Sequence, residues 1–571
     1  MIAEIKKCKN CEQDFRILPE DFVFYEKIHV PPPTWCPSCR EMRRWSFRNE
    51  RTLYPRACSK CKKQIISLWS PDKPQTVYCR ECFNSDNFDP TAYGRDVDFS
   101  KPFFDQFKDL LNSVPVIALL GGTNCVNSDY VNLEMDDKNC YMNVGGHFNE
   151  DCYYNTFSLY GKNNVDNYWV IHCEYMYESI DCHSSYRCFF SRNCVSCTEC
   201  WLCYDCRNCS NCFGCTNQRN KQYMIFNTQY SKEEYEKQVA ELTKDADTIA
   251  DAKIHYEREK LSNPHRFAFI EKSEHCTGNY ITKSKDALQS FDSEECENIR
   301  YTQINGYIKD SMDCSAVGIA ELIYESVGVG MSCSRSAFCG LSFPAIQECY
   351  YCLMCRNTDY SFGCISLKKN QYCILNKQYS KEEYDVLKPR IVEHMKQTGE
   401  WGEFFPPQIS PFGYNETVAQ TYFPLTREQA HAQGYPWQDA LPERSGKETI
   451  KISEIPPSIE SVSADITKEI LACEKCGKNY KIINQELDFY KHMHLPLPRR
   501  CPTCRHENRL NLRGISRTLH QRQCMCERGG HDHVGRCVVE FETTYAPPEG
   551  RASPPRPEIV YCEACYQKEF V

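Results

Sequence analysis

Four pairs of cysteines, each with two residues between its members, open this 571-residue sequence: Cys8/Cys11, Cys36/Cys39, Cys58/Cys61 and Cys79/Cys82. Near the other end stand Cys473/Cys476 and Cys501/Cys504, then Cys524, Cys537 and the pair Cys562/Cys565. Two cysteines at that spacing can turn both thiolates toward one ion. Two such knuckles complete a closed tetrahedral site, the structural rather than the catalytic form of zinc binding. Chain order assigns Cys8, Cys11, Cys36 and Cys39 to one ion, Cys58, Cys61, Cys79 and Cys82 to a second, and Cys473, Cys476, Cys501 and Cys504 to a third. Consecutive pairs at this spacing argue against surplus thiols or disulfides. Iron–sulfur ligation is chemically open to any four cysteines, but the duplicated two-knuckle arrangement favours zinc.

The two ends are copies. From Cys8 to Arg40 they align without a gap at a constant offset of 465 residues, pairing Phe24-Tyr25 with Phe489-Tyr490 and CPSCR with CPTCR. The register places Cys524, Cys537, Cys562 and Cys565 in a fourth site. It also makes CMCERGGHDHVGRC an insertion carrying Cys526, His531 and His533, any of which could substitute as a ligand. The expectation is about four structural zinc ions per chain, supplying much of the folding energy of modules too small for a large core.

Arginines crowd both copies. Arg40, Arg43, Arg44 and Arg48 follow the second knuckle of the first, and Arg505, Arg509 and Arg513 that of the last. On a chain with net charge -9 these read as local basic patches able to grip phosphate, so RNA or DNA is one candidate partner and a docked protein the other.

The segment with Cys473, Cys476, Glu486, Phe489-Tyr490 and CPTCR resembles a bacterial family of treble-clef or zinc-ribbon domains, and the N-terminal copy keeps Cys8, Cys11, Asp21, Phe24-Tyr25 and CPSCR. The whole chain resembles cysteine-rich proteins of candidate-phyla bacteria. The resemblance implies zinc binding and a treble-clef-like fold, and no reaction.

The middle is a second duplication. KQYMIFNTQYSKEEYEK at 221–237 returns as NQYCILNKQYSKEEYDV at 370–386, an offset of 149. Ser231 with Glu234, and Ser380 with Glu383, read as capping boxes opening a helix, the first running on toward Leu261. Cys152, Cys173, Cys194 and Cys215 lie 21 residues apart, and Cys314, Cys333, Cys352 and Cys373 follow at 19, 19 and 21. A period near 20 with Tyr, Asn, Ser and Gly between predicts coils of a parallel β-solenoid. From Cys194 to Cys215 a cysteine falls at every third residue. A thiolate cluster is one explanation, but the second copy has Phe343 and Ile346 where the first has Cys194 and Cys197, which favours packing. Asp136, Asp137 and Asp181 could sit on a solenoid face, but solvated turns explain them more simply.

The fold class expected is therefore multidomain and mainly β: two double-zinc modules of treble-clef or zinc-ribbon type flanking a duplicated parallel β-solenoid with helical inserts. Its parts are a module over 1–90, a connector helix over 91–120, a first solenoid half over 121–228, a helical insert over 229–264, a second half over 265–378, a helix over 379–398, a proline-rich strap over 399–470 and the last module over 471–571. No P-loop, nucleophile elbow or HExxH motif is present. The function expected is a non-enzymatic binding or scaffold module. A solenoid enzyme acting on carbohydrate is the alternative from fold analogy. The opening MIAEIKKCKN lacks the apolar run of a secretory signal, and no stretch is long enough to span a bilayer, so a cytoplasmic protein with reduced thiols and no membrane partner is expected.

Overall fold

The computed structural model describes residues 3–442, 445–547 and 557–571. Residues 443–444 of the strap and 548–556 of the last module lie outside the described residues. The chain folds as two compact units, Met1–Leu119 with Ala268–Leu441 and Leu120–Phe267 with Pro442–Val571. Each unit joins one terminal module to one half of the middle region, and the joining is crossed: the first module goes with the second half, the last module with the first.

In the unit containing Leu120–Phe267, strand after strand pairs in parallel with the residue twelve further on. Tyr168 lies beside Ile180, Tyr186 beside Thr198, and Thr198 beside Ser210. Single bridges continue the pattern, Val126 to Lys138, Asp129 to Tyr141, Asn132 to Val144 and Met135 to His147. Bridges beginning every three residues and closing after twelve describe a turn of four short sides. Every third residue is left-handed, as at Asn193, Ser196, Glu199, Leu202 and Asp205, with φ between 44 and 56°. For residues other than Gly that conformation is costly, and the parallel ladder must hold it in place.

The repeat is thus twelve residues where the cysteine spacing suggested about twenty. Both numbers arise from one period of three, because a spacing of 21 is a whole number of sides and keeps a residue facing inward. The second half follows the same rule, with Ile346 beside Thr358, but Ala320 pairs with Cys333 and Gly340 with Leu353, one residue further on. These single-residue expansions explain why cysteines there recur at 19.

Inside the turns, small polar side chains satisfy the backbone in columns. Asn143 Oδ1 accepts from the Asn155 N–H at 2.9 Å, Asn155 Oδ1 from Asn167 at 2.9 Å, and Asn167 Oδ1 from Ser179 at 2.8 Å. The column continues through Ser191 to Cys203. The cysteines act as donors. Cys203 Sγ reaches the Trp201 and Cys212 carbonyls at 3.4 and 3.6 Å, and Cys355 Sγ reaches those of Leu353 and Cys364 at 3.6 and 3.5 Å. A thiol that donates is protonated, and burial pushes Cys296 and Cys333 up to about 11. These cysteines fill and bond the interior.

Both capping boxes form, Ser231 Oγ accepting from Glu234 N and Ser380 Oγ from Glu383 N at 3.2 Å each. The first helix stops at Leu242, and Asp245 caps a second, Ala246–Ser262, so the single run toward Leu261 is two helices. The strap is anchored by aromatics: Phe404, Phe405, Phe412 and Tyr414 are buried, and Trp401 packs on Phe338, Tyr350 and Phe362.

Replacing Asn155 by Ala strands the Asn167 N–H and takes one of two donors from the Asn164 carbonyl, which keeps the Tyr153 N–H. At about 1–3 kcal/mol for a stranded group, urea unfolding followed by circular dichroism should show a loss of about 1–3 kcal/mol. Cys203→Ser keeps a donor in the same place and should stay within about 1 kcal/mol of the parent.

Candidate metal centres

Each quartet is built the same way. A two-stranded hairpin turns back on itself and its turn carries the first knuckle; the second knuckle opens a helix. Strands Glu4–Lys7 and Asp14–Ile17 present Cys8 and Cys11, while Cys36 caps the helix Pro37–Trp45, which carries Cys39. Tyr54–Ala57 with Gln64–Ser67, and Leu471–Ala472 with Asn479–Tyr480, repeat the hairpin, and Cys79 and Cys501 repeat the cap. In the last site His520–Gln523 and Glu540–Thr543 flank Cys524 and Cys537, and Cys562 caps the helix Glu563–Phe570.

The turns are superposable in their bonding. The N–H groups of Cys8, Cys58 and Cys473 each donate at 2.9 Å to the carbonyl five residues on, and the residue after each knuckle is left-handed: Glu12, Lys62 and Gly477. Across each site a backbone N–H points at sulfur: Cys36 N to Cys8 Sγ, Cys79 N to Cys58 Sγ and Cys562 N to Cys524 Sγ, all at 3.2 Å. Burial works against ionising Cys58, but N–H groups of Cys79, Cys61 and Lys60 outweigh it and draw the thiol down to about 6. Cys473 is drawn to about 7, burial being outweighed by the matching N–H groups of Cys501, Cys476 and Lys475.

A metal–sulfur bond of about 2.3 Å in a tetrahedron separates sulfurs by about 3.8 Å. The separations found are 3.8 Å for Cys11–Cys36, 3.7 Å for Cys61–Cys79, 3.8 Å for Cys476–Cys501 and 4.0 Å for Cys537–Cys562. All four quartets expected from the sequence are brought within ligand range of a single ion. The arrangement is consistent with zinc-ribbon-like modules. Cys526, His531 and His533 do not replace members of the fourth quartet; they gather beside it, with Cys565 common to both groups.

The arginines are not where phosphate could reach them. Arg40 Nη2 meets Asp313 Oδ2 at 2.8 Å and Arg44 Nη1 meets Asp313 Oδ1 at 3.2 Å, with side chains at most 1% exposed. Arg43 Nη2 holds Glu325 at 2.5 Å and Glu403 at 2.9 Å, and Arg48 Nε holds Glu50 at 2.6 Å. In the other unit Arg505 Nε and Arg509 Nη1 share Asp166 at 2.9 and 3.1 Å, Arg505 also meets Glu486 at 3.2 Å, and Arg513 Nε meets Asp181 at 2.7 Å. This corrects the assignment of these seven arginines as phosphate contacts: each is buried against carboxylates. It corrects Asp137 and Asp181 too, since Asp137 accepts from Asn149 inside the turns. Trp35 stacks on Arg43, its guanidinium 4.4 Å from the ring. Sequence reading missed Asp313, Glu325 and Asp166 as partners because they lie far along the chain. The one available signal was an excess of arginine with too few local acids.

Asp313→Ala leaves two buried guanidinium groups without their shared carboxylate, and Asp166→Ala does the same in the other unit. Breaking a buried pair costs about 3–5 kcal/mol. Urea unfolding should shift by that order, while elemental analysis of the folded fraction finds the metal content unchanged. No protein-family model matches this chain, and comparison with curated proteins gives no match.

Proposed function

We propose that this is a structural zinc protein that serves as a docking scaffold for another protein. The observation that carries it is the double use of each metal module: one side gathers four thiolates, the other inserts arginines into the parallel stack. Metal binding then fixes the helices Pro37–Trp45 and Pro502–Arg513 whose arginines hold each unit together. Sets of four protein ligands leave no position for a reacting water, in keeping with an architectural role.

A surface suited to docking runs along the repeat. Tyr307, Ile319 and Met331, twelve residues apart, are 55%, 47% and 40% exposed. Rows of this kind on repeat proteins form extended contact faces. A second reading, single-stranded RNA, is favoured by a different column: Phe148 stacks on Tyr160 at 5.1 Å and Tyr160 on His172 at 4.6 Å, a platform on which bases could lie. Among the described residues no helix is long and apolar enough to cross a membrane.

Anaerobically purified protein should carry zinc at every quartet, and Cys36→Ser should lower the count by one and open the first module to protease. A folded, zinc-free protein ends the proposal. A partner recovered from lysate, purified and rebound, should bind wild type and lose at least about tenfold in affinity to the triple variant Tyr307→Ser, Ile319→Ser, Met331→Ser, since truncating even one anchor residue of an interface costs about 2 kcal/mol or more. Binding of single-stranded RNA that disappears in Phe148→Ser with Tyr160→Ser would instead favour the second reading.

A further inference from the structure

We propose that the C-terminal module holds two metal ions in one binuclear centre, with the Cys565 thiolate bridging them. One ion takes Cys524, Cys537, Cys562 and Cys565; the other takes Cys526, His531, His533 and Cys565. The proposal rests on the zinc reading of the quartets and extends it.

The second set is assembled from the insertion that the N-terminal copy lacks. Cys526 Sγ stands 3.3 Å from His531 Nδ1, and Cys565 Sγ stands 3.4 Å from His533 Nε2. For bonds of about 2.3 Å to sulfur and about 2.0–2.1 Å to nitrogen, a tetrahedral ion separates S and N by about 3.6 Å. All four donor atoms lie within 4.8 Å of one another. Cys526 is fully buried and Cys565 is 4% exposed, and the His531 side chain is 7% exposed, on a loop whose Val534 is fully exposed.

The far side of each imidazole is already engaged, which is what a ligating histidine requires. His533 Nδ1 donates to the Gly535 carbonyl at 2.8 Å, leaving Nε2 with its lone pair toward Cys565. His531 Nε2 faces Glu569 Oε2 at 3.6 Å, leaving Nδ1 toward Cys526. The two rings therefore present opposite nitrogens to one point, each fixed by a different partner. Gly530, at φ +83°, reverses the loop so that His531 returns to Cys526. Lys568 to Asp532 at 2.9 Å and Arg528 to Glu569 at 3.4 Å tie the loop to the helix Glu563–Phe570 that supplies Cys565.

With one atom in both sets, two ions can each reach four protein ligands only if Cys565 is shared. Two ions held by five thiolates and two neutral imidazoles are fully ligated with no open position, so the class of ligand is a borderline-soft divalent ion such as zinc, in a structural role.

Elemental analysis of the anaerobically purified full chain should find five zinc ions rather than four. The variant Cys526→Ser, His531→Asn, His533→Asn should find four. In protein exchanged with cadmium-113, two resonances should be scalar-coupled to each other through the shared sulfur, and the coupling should vanish in the variant. Four ions in wild type overturn the second ion while leaving the quartets intact; fewer than four instead count against the quartets themselves. A variant with undiminished zinc overturns the ligand set, and two uncoupled cadmium signals overturn the bridge. The wild-type stoichiometry and coupling decide the matter even if the variant does not fold.

Discussion

A guanidinium stripped of water must meet a carboxylate, and in this protein two aspartates each meet two. Asp313 takes Arg40 and Arg44; Asp166 takes Arg505 and Arg509. Both aspartates are left-handed residues of the parallel turns, with φ of 54 and 57°. The pairing therefore locks a strained point of the repeat to a helix that begins at a knuckle cysteine. Desolvating such groups costs several kcal/mol each, recovered only when the geometry is tight and the remaining donors are used. Some of them are: Arg40 also donates to the Trp35 carbonyl and Arg44 to Ser315, while Arg40 Nε and Arg44 Nη2 have no hydrogen-bond partner. Loosening the knuckle would move the helix, and the helix carries the charges.

Cysteine meets two kinds of backbone partner in this chain. In the knuckle turns, backbone N–H groups aim at sulfur and favour the thiolate. Inside the turns of the repeat the backbone offers carbonyls, and the thiol must keep its proton to donate to them. Serine takes the same role at Ser179, whose Oγ reaches the Cys188 carbonyl at 3.0 Å. Asn, Ser and Cys interchange within one column because each carries a group that bonds the backbone there.

The metal modules were legible because their information is local: ligand spacing, the turn after each knuckle and the helix after each CP are all written within about forty residues. The repeat was legible only in part. Its cysteines mark multiples of three, and a spacing of 21 satisfies that period as well as twelve does, whereas the Asn143, Asn155, Asn167 column carries the true turn length in its side chains. The arginine partners could not be read at all, since Arg44 and Asp313 are related by the fold and by no local pattern. A cluster of arginines looks the same in sequence whether it will face phosphate or be buried against carboxylate.

The crossed pairing of modules with halves has a consequence in time. A chain leaves the ribosome from its N-terminus, so the first module is complete long before Asp313 and Glu325 exist to receive its arginines, and the first half of the repeat is complete long before Arg505 and Arg509 arrive at Asp166. Neither unit can close in order of synthesis. Through most of translation these arginines are without the carboxylates that receive them, and the early module must hold its fold by itself until its counterpart is made.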